Sequence, residues 1–150
     1  MPQSLHLLHT HIIFSTKNRH PLLLAEHRPH LHAYMAGILY KLDCRSIVVG
    51  GIEDHIHIGC AITKKHPTMK VLELLKKDSS KWLKSYSPIF HNFYWQDGYA
   101  LFSISSSHIE PLKKYIMNQV EHHRKETFKE EFIRLLKKNK VEYDERYLWN

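Results

Sequence analysis

The spacing of apolar and polar positions changes several times along the chain, and each change marks a predicted element. Residues 5–16 (LHLLHTHIIFST) are rich in apolar and β-branched side chains and stop at the polar cluster KNRHP. That pattern predicts a strand followed by a basic turn. Residues 24–42 carry Leu31, Met35, Ile38, Leu39 and Leu42 at helical spacing. CRSIVVGGI reads as a short buried strand closed by a Gly-Gly turn, with DHIHIGCAI as its antiparallel partner. Met69, Val71, Leu72, Leu75, Trp82 and Leu83 predict a second amphipathic helix over 68–86. FYWQDGYALFSIS, residues 93–105, is β-rich and interrupted at Asp97-Gly98. A third helix is expected over about 108–124, capped by Ser107 with Glu110 as its capping-box partner. Its core-facing arc is Leu112, Ile116 and Val120. FKEEFIRLLKKNK is a short amphipathic helix, and VEYDERYLWN an aromatic-rich tail.

The order β-α-β-β-α-β followed by helices predicts an α+β, ferredoxin-like (split βαβ) fold. Its four-stranded antiparallel sheet carries helices on one face, with C-terminal helices in addition. The first and third strands then lie side by side in the middle, and the other sheet face, where uncovered, can present side chains to a ligand. No repeat, low-complexity tract or linker interrupts residues 1–150, so one domain is expected.

Charge narrows the class of partner. Lys and Arg outnumber Asp and Glu by 22 to 15, a formal net charge of +7, and 14 histidines add cationic potential as pH falls. A small basic domain attracts polyanions, and nucleic acid is the commonest. The two cysteines, Cys44 and Cys60, make neither a disulfide framework nor a zinc knuckle and read as buried thiols in a reducing cytoplasm. Histidines break up the N-terminal apolar stretch, so it does not resemble a signal peptide, and no run is long enough to span a membrane. A cytoplasmic location with no membrane partner is therefore expected.

The candidate chemistry begins at DHIHIGC, residues 54–60. On a strand, side chains at i and i+2 share a face, so His55 and His57 project together while Ile56, Ile58 and Cys60 point towards the helices. Two imidazoles on one rigid strand can reach a single divalent cation, and Gly59, next on that face, leaves room for a substrate. The same alternation also describes any half-exposed strand, and spacing alone leaves both readings open. His9-Thr10-His11 repeats the spacing on the first strand, and His11 is placed near His57, supporting it from behind. On the third helix Tyr115, Gln119 and His122 lie along one flank. A tyrosine beside a metal ligand can attack phosphorus, although boundary packing of its ring is the plainer alternative. His122 and His123 read as polar helix surface.

His55-Ile56-His57 matches the histidine–hydrophobe–histidine (HUH) motif, and Tyr115-Ile-Met-Asn-Gln119 resembles a tyrosine-plus-glutamine helix. Together they make the sequence resemble the IS200/IS605-type single-tyrosine HUH transposases, including the REP-associated tyrosine transposases. HIIFSTKNRHPLL, SSKWL, WQDGYALFSIS, YIMNQVEHH and EYDERYLW extend the resemblance over nearly the whole chain. It implies a metal-dependent enzyme that cuts and rejoins single-stranded DNA through a 5′-phosphotyrosine, recognising hairpins at element ends. His55, His57 and Gln119 would hold Mg²⁺ or Mn²⁺, and Tyr115 would attack the phosphate. It also implies a homodimer, with Tyr115 supplied in cis or by the partner to a composite site. An inactive or host-domesticated nucleic-acid-binding protein of the same fold is the alternative. Asp78 departs from the glycine that relatives often carry there. Lys17, Arg19, Lys64, Lys65, Lys113 and Lys114 are candidate phosphate contacts, and Phe93, Tyr94 and Trp95 candidate stacking residues. A histidine-triad hydrolase would need a third alternate histidine where Gly59 stands.

Overall fold

In a computed structural model describing residues 2–150, strands β1 (His9–Ser15), β2 (Arg45–Ile52), β3 (His55–Ala61) and β4 (Ala100–Ile104) form one antiparallel sheet. Its order is β2-β3-β1-β4, so β1 and β3 occupy the centre. Helices α1 (Arg28–Lys41) and α2 (Thr68–Tyr86) cover one face. The other is covered by α3 (Ile109–Met117) and α5 (Phe128–Lys138), with the short helices α4 (Gln119–His122) and α6 (Glu145–Leu148) beside them. The sequence left open whether that second face would be covered.

Period-two alternation divides the core. Ile12, Phe14, Ile56, Ile58 and Cys60 point from the central strands into a cluster with Leu31, Met35 and Leu39 of α1 and Val71, Leu72 and Leu75 of α2. Each such side chain stabilises the fold by about 1.5–3 kcal/mol when fully buried. On the opposite face Ile13, Ala100 and Phe102 pack against Phe128, Phe132, Leu135 and Leu136 of α5. Helix α1 ends where Asp43 turns left-handed (φ 62°), and Cys44 N–H donates back to Leu39 O at 2.8 Å.

Several boundaries differ from expectation. Strand β1 starts at His9 and leaves Leu5, Leu7 and Leu8 exposed, because β3 ends opposite His9 at Ala61. Gly50 and Gly51 lie within β2, and Glu53-Asp54 makes the hairpin turn instead. The Asp97-Gly98 interruption separates β4 from a single bridge between Thr16 and Trp95. The carbonyls at and just before it are gathered by Lys76 Nζ, 2.9, 3.0 and 2.6 Å from the oxygens of Gln96, Asp97 and Gly98.

The capping box also falls elsewhere. Ser107 sits in a 3-10 turn and caps nothing, whereas Thr127 and Glu130 form a reciprocal box at the start of α5. The third helix is broken at Asn118, which rotates residues 119–122 relative to α3. Leu112 and Ile116 are buried as expected, but Val120 is exposed and Gln119 takes the buried position.

Candidate active site

The position of α3 is set by missing side chains. Gly50 and Gly59 face it from β2 and β3, and a Cβ on Gly50 would lie 2.8 Å from Ile116 Cγ2 and 2.9 Å from Ile116 O. A Cβ on Gly59 would meet Val48 at 3.1 Å and Leu112 at 3.4 Å. The space at Gly59 therefore belongs to helix packing, correcting the expectation that it admits substrate. Gly50 is the cross-strand partner of His57. Close docking of α3 over these glycines brings the Tyr115 ring to 5.8 Å from the His57 ring within one chain.

His55 and His57 share the face beneath α5 and are fully buried, so the wet-strand alternative does not hold. Gln119 is buried too, and its Oε1 lies 3.0 Å from His55 Nε2. His55 Nδ1 meets the Asp54 carboxylate at 2.7 Å, and His57 Nδ1 meets His11 Nε2 at 2.8 Å. His11 thus stands behind His57 as expected. Such partners hold an imidazole's orientation and leave its other nitrogen aimed into the site.

Two participants were missed. Glu131 of α5 is fully buried at the centre of the cluster. Its Oε1 lies 3.0 Å from His57 Nε2, 3.1 Å from His123 Nε2 and 3.4 Å from His55 Nε2. Its Oε2 accepts from the Tyr115 hydroxyl and, at 3.2 Å, from Gln119 Nε2. Arg134 Nη2 donates to the Tyr115 oxygen at 2.9 Å and also binds Glu126. His123 is no surface residue: its Nε2 lies 2.8 Å from Gln119 Oε1. His122 contacts Glu126 and stacks edgewise on Tyr115. A signal for Glu131 existed, since it falls on the same helical arc as Phe128, Phe132 and Leu135.

The electrostatics follow from burying one carboxylate among imidazoles. Burial pushes Glu131 towards its neutral form, but hydrogen bonds from His123, His55 and His57 outweigh this and hold it well below the usual carboxylate range. Burial would also lower His55, yet Asp54 and Glu131 raise it to about 9. In His57 burial prevails and lowers the pKa to about 4, and His11 falls to about 3 for the same reason. Burial, then the charge of Glu131, raise the Tyr115 phenol above its ordinary value.

These shifts set a pH dependence for the metal-free protein. The stability due to His55 is complete below the ordinary value of 6.5 and is lost as pH rises through about 9. That due to neutral His11, His57 and His32, the last lowered to about 4, is complete above 6.5 and lost as pH falls. The unfolding free energy is therefore expected to peak near pH 6.5. It should decline by roughly 1.4 kcal/mol per pH unit at most on the alkaline side, for one proton, and more steeply on the acid side. Urea unfolding in a chelating buffer between pH 5 and 8 measures this, and a monotonic profile would contradict it.

The donor set can hold a divalent ion. Ligand atoms of His55, His57, His123 and Glu131 lie within 4.8 Å of one another, and Gln119 Oε1 adjoins them. The candidate DNA contacts fare unevenly. Arg19 is tied to Trp149, donating to its carbonyl oxygen at 2.9 Å with the guanidinium over the indole. Lys17 lies 3.9 Å from Asp97, Lys64 donates to Ser4 O, and Lys65 pairs with Asp43 at 2.7 Å. Lys113 and Lys114 are exposed on α3, and Lys114 lines a cavity of about 560 Å³ with Tyr115 and His122. Phe93 and Trp95 are core residues, whereas Tyr94 is exposed.

Comparison with known proteins agrees with this architecture. Among solved structures, a putative transposase from Deinococcus radiodurans superposes with a TM-score of 0.62 at 22% identity, over 79% of this chain and 98% of that one. A REP-associated tyrosine transposase bound to a REP hairpin superposes with a TM-score of 0.59 at 14% identity, over 81% of this chain and 72% of that one. No curated protein matches the sequence. Among the described residues no helix is long and apolar enough to cross a membrane. The family described as "Transposase IS200 like" matches residues 4–119, and the chain belongs to that family.

Proposed function

We propose that this protein is a metal-dependent single-stranded-DNA transposase that cleaves and rejoins strands through a 5′-phosphotyrosine and recognises hairpins at element ends. The observation that carries the reading is the convergence of Tyr115, His55, His57 and Gln119, four residues from two distant motifs, in one cluster. His55, His57 and Gln119 would hold Mg²⁺ or Mn²⁺, which when bound supplies Lewis-acid stabilisation of charge on the scissile phosphate.

The Tyr115 oxygen attacks phosphorus as the bond from phosphorus to the 3′ oxygen breaks, and that oxygen leaves with the electron pair and takes up a proton. The tyrosyl proton already points at Glu131 Oε2, its acceptor in this state. Attack by the free 3′-OH on the phosphotyrosine reverses the step and rejoins a strand, so no external energy source is consumed. Arg134 donates to the phenolic oxygen and offsets negative charge as it develops there. Because His55 and His57 are fully buried, a strand reaches them only after the helices over that face shift, and the roles given to Glu131 and Arg134 require that they stay with Tyr115 as this happens.

Homodimeric assembly and contact of Lys113 and Lys114 with phosphates belong to the same reading. The hairpin bound by the REP-associated neighbour makes a structured single strand the natural substrate class. The clamp of Glu131 and Arg134 on Tyr115 favours a second reading, an inactive or domesticated nucleic-acid-binding protein. A library of 3′-labelled hairpin oligonucleotides incubated with protein and Mn²⁺ separates the two. Transposition chemistry predicts a labelled adduct that survives denaturation and is absent with duplex or chelator. Binding without any adduct supports the second reading.

A further inference from the structure

We propose that His123 and Glu131 complete, with His55 and His57, a closed site for a transition-metal ion of the Zn²⁺ class in the resting protein. The proposal shares the two strand histidines with the reading above but replaces its third ligand, Gln119, by two residues of the C-terminal region.

The directions in which the donor atoms of the cluster point decide which ligands the site can offer. His123 Nδ1 is 2.6 Å from the carbonyl oxygen of Glu126, which can only accept, so Nδ1 carries the hydrogen. His123 Nε2, the nitrogen left facing the site, lies near two oxygens, Gln119 Oε1 at 2.8 Å and Glu131 Oε1 at 3.1 Å. His55 repeats the pattern. Its Nδ1 serves the Asp54 carboxylate, and its Nε2 faces the same two oxygens at 3.0 and 3.4 Å. The Gln119 amide keeps this orientation, because its nitrogen is held by Glu131 Oε2 at 3.2 Å. Donor atoms of His55, His57, His123 and Glu131 thus converge on one largely buried spot, each within 4.8 Å of the others. In the metal-free protein a proton on His55 helps hold them together, and a metal cation can take that proton's place.

Donor chemistry and burial say which cation. Three imidazole nitrogens and one carboxylate oxygen, mutually within 4.8 Å, match the spacing around a four-coordinate first-row ion. Mg²⁺ requires octahedral, oxygen-rich ligation and usually retains several waters, for which a site with His55, His57 and Glu131 at zero exposure has no room. Four protein ligands also leave no position open, as in structural rather than catalytic zinc sites. Glu131 would bind the ion through Oε1 while Oε2 keeps the Tyr115 hydroxyl, so the closed site holds the tyrosine idle.

Cobalt tests the proposal without DNA. Metal-free full-length protein is titrated with Co²⁺ and its visible absorption recorded. One equivalent should produce the intense bands of low-coordinate cobalt, removable by Zn²⁺ but not by excess Mg²⁺. His123→Ala and Glu131→Gln should each dim the bands and weaken binding by more than the roughly 10–100-fold that losing an outer partner of a ligand costs. Gln119→Ala, which removes a neutral donor, should shift binding far less. A weak six-coordinate spectrum in the wild type would overturn the proposal. So would a Gln119→Ala variant that loses the site while His123→Ala and Glu131→Gln keep it. If either ligand variant fails to fold, the wild-type spectrum and X-ray absorption of its zinc form decide alone. Cobalt binding without any DNA adduct would retain this site and remove the transposase reading, and the reverse result would do the opposite.

Discussion

Tyr115→Phe is expected to abolish covalent attachment to single-stranded DNA and to lower cleavage on the order of 10⁴-fold or more, as when a covalent nucleophile is removed. The fold should survive. Phenylalanine retains the ring that packs edgewise on His57, His11 and His122, at 5.8, 6.2 and 5.3 Å between centroids. Only one hydroxyl is lost, bonded to Glu131 and Arg134, and its removal costs about 1 kcal/mol. Glu131 keeps its imidazole and amide partners and is not left unpaired. The measurement pairs a denaturing gel with a urea unfolding curve. Undiminished cleavage by Tyr115→Phe would place the nucleophile elsewhere, and the retained unfolding midpoint excludes misfolding as the reason for a loss.

The largest effect on stability is expected at Gly51. Its φ of 148° is a conformation that side chains rarely adopt, and an added Cβ would lie 2.2 Å from the carbonyl oxygen of His55. That atom is backbone, so no rotamer change relieves the clash. Gly51→Ala should cost roughly 2–5 kcal/mol, combining backbone strain with overpacking. The cost falls on the functional hairpin, because the displaced peptide carries His55. Urea unfolding of wild type and Gly51→Ala, compared at constant m-value, measures it. Gly37→Ala is the control, since a Cβ there meets nothing within 4 Å and alanine suits a helix interior better than glycine. A Gly51→Ala protein as stable as the wild type would refute the account.

Glu131 shows why part of the site was not legible beforehand. An acid in FKEEFIRLL lies on the arc of Phe128, Phe132 and Leu135, yet such an acid is ordinarily solvated at a helix edge. Only the docking of α5 over β1 and β3 turns it inward, to meet histidines 74 and 76 positions earlier in the chain. The Gly-Gly pair misled for a related reason. Local rules assign two glycines to a turn, but the space they leave is demanded by Ile116 and His55, which only the folded hairpin and α3 bring near.

Contacts governed by local period were accessible from the sequence by itself. Alternation along 55–61 put His55 and His57 on one face, helical spacing put Tyr115 and Gln119 one turn apart, and the order of elements determined the four-stranded sheet. Burial and long-range pairing were decided by tertiary structure alone. They include the covering of the second face, the break at Asn118, the loss of Arg19 to the C-terminal tail, the convergence of Glu131 and Arg134 on Tyr115, and the contact of His123 with Glu131. The physical reason is that a side chain's periodicity is fixed by its own few neighbours, whereas its protonation, partners and exposure depend on whatever packs against it.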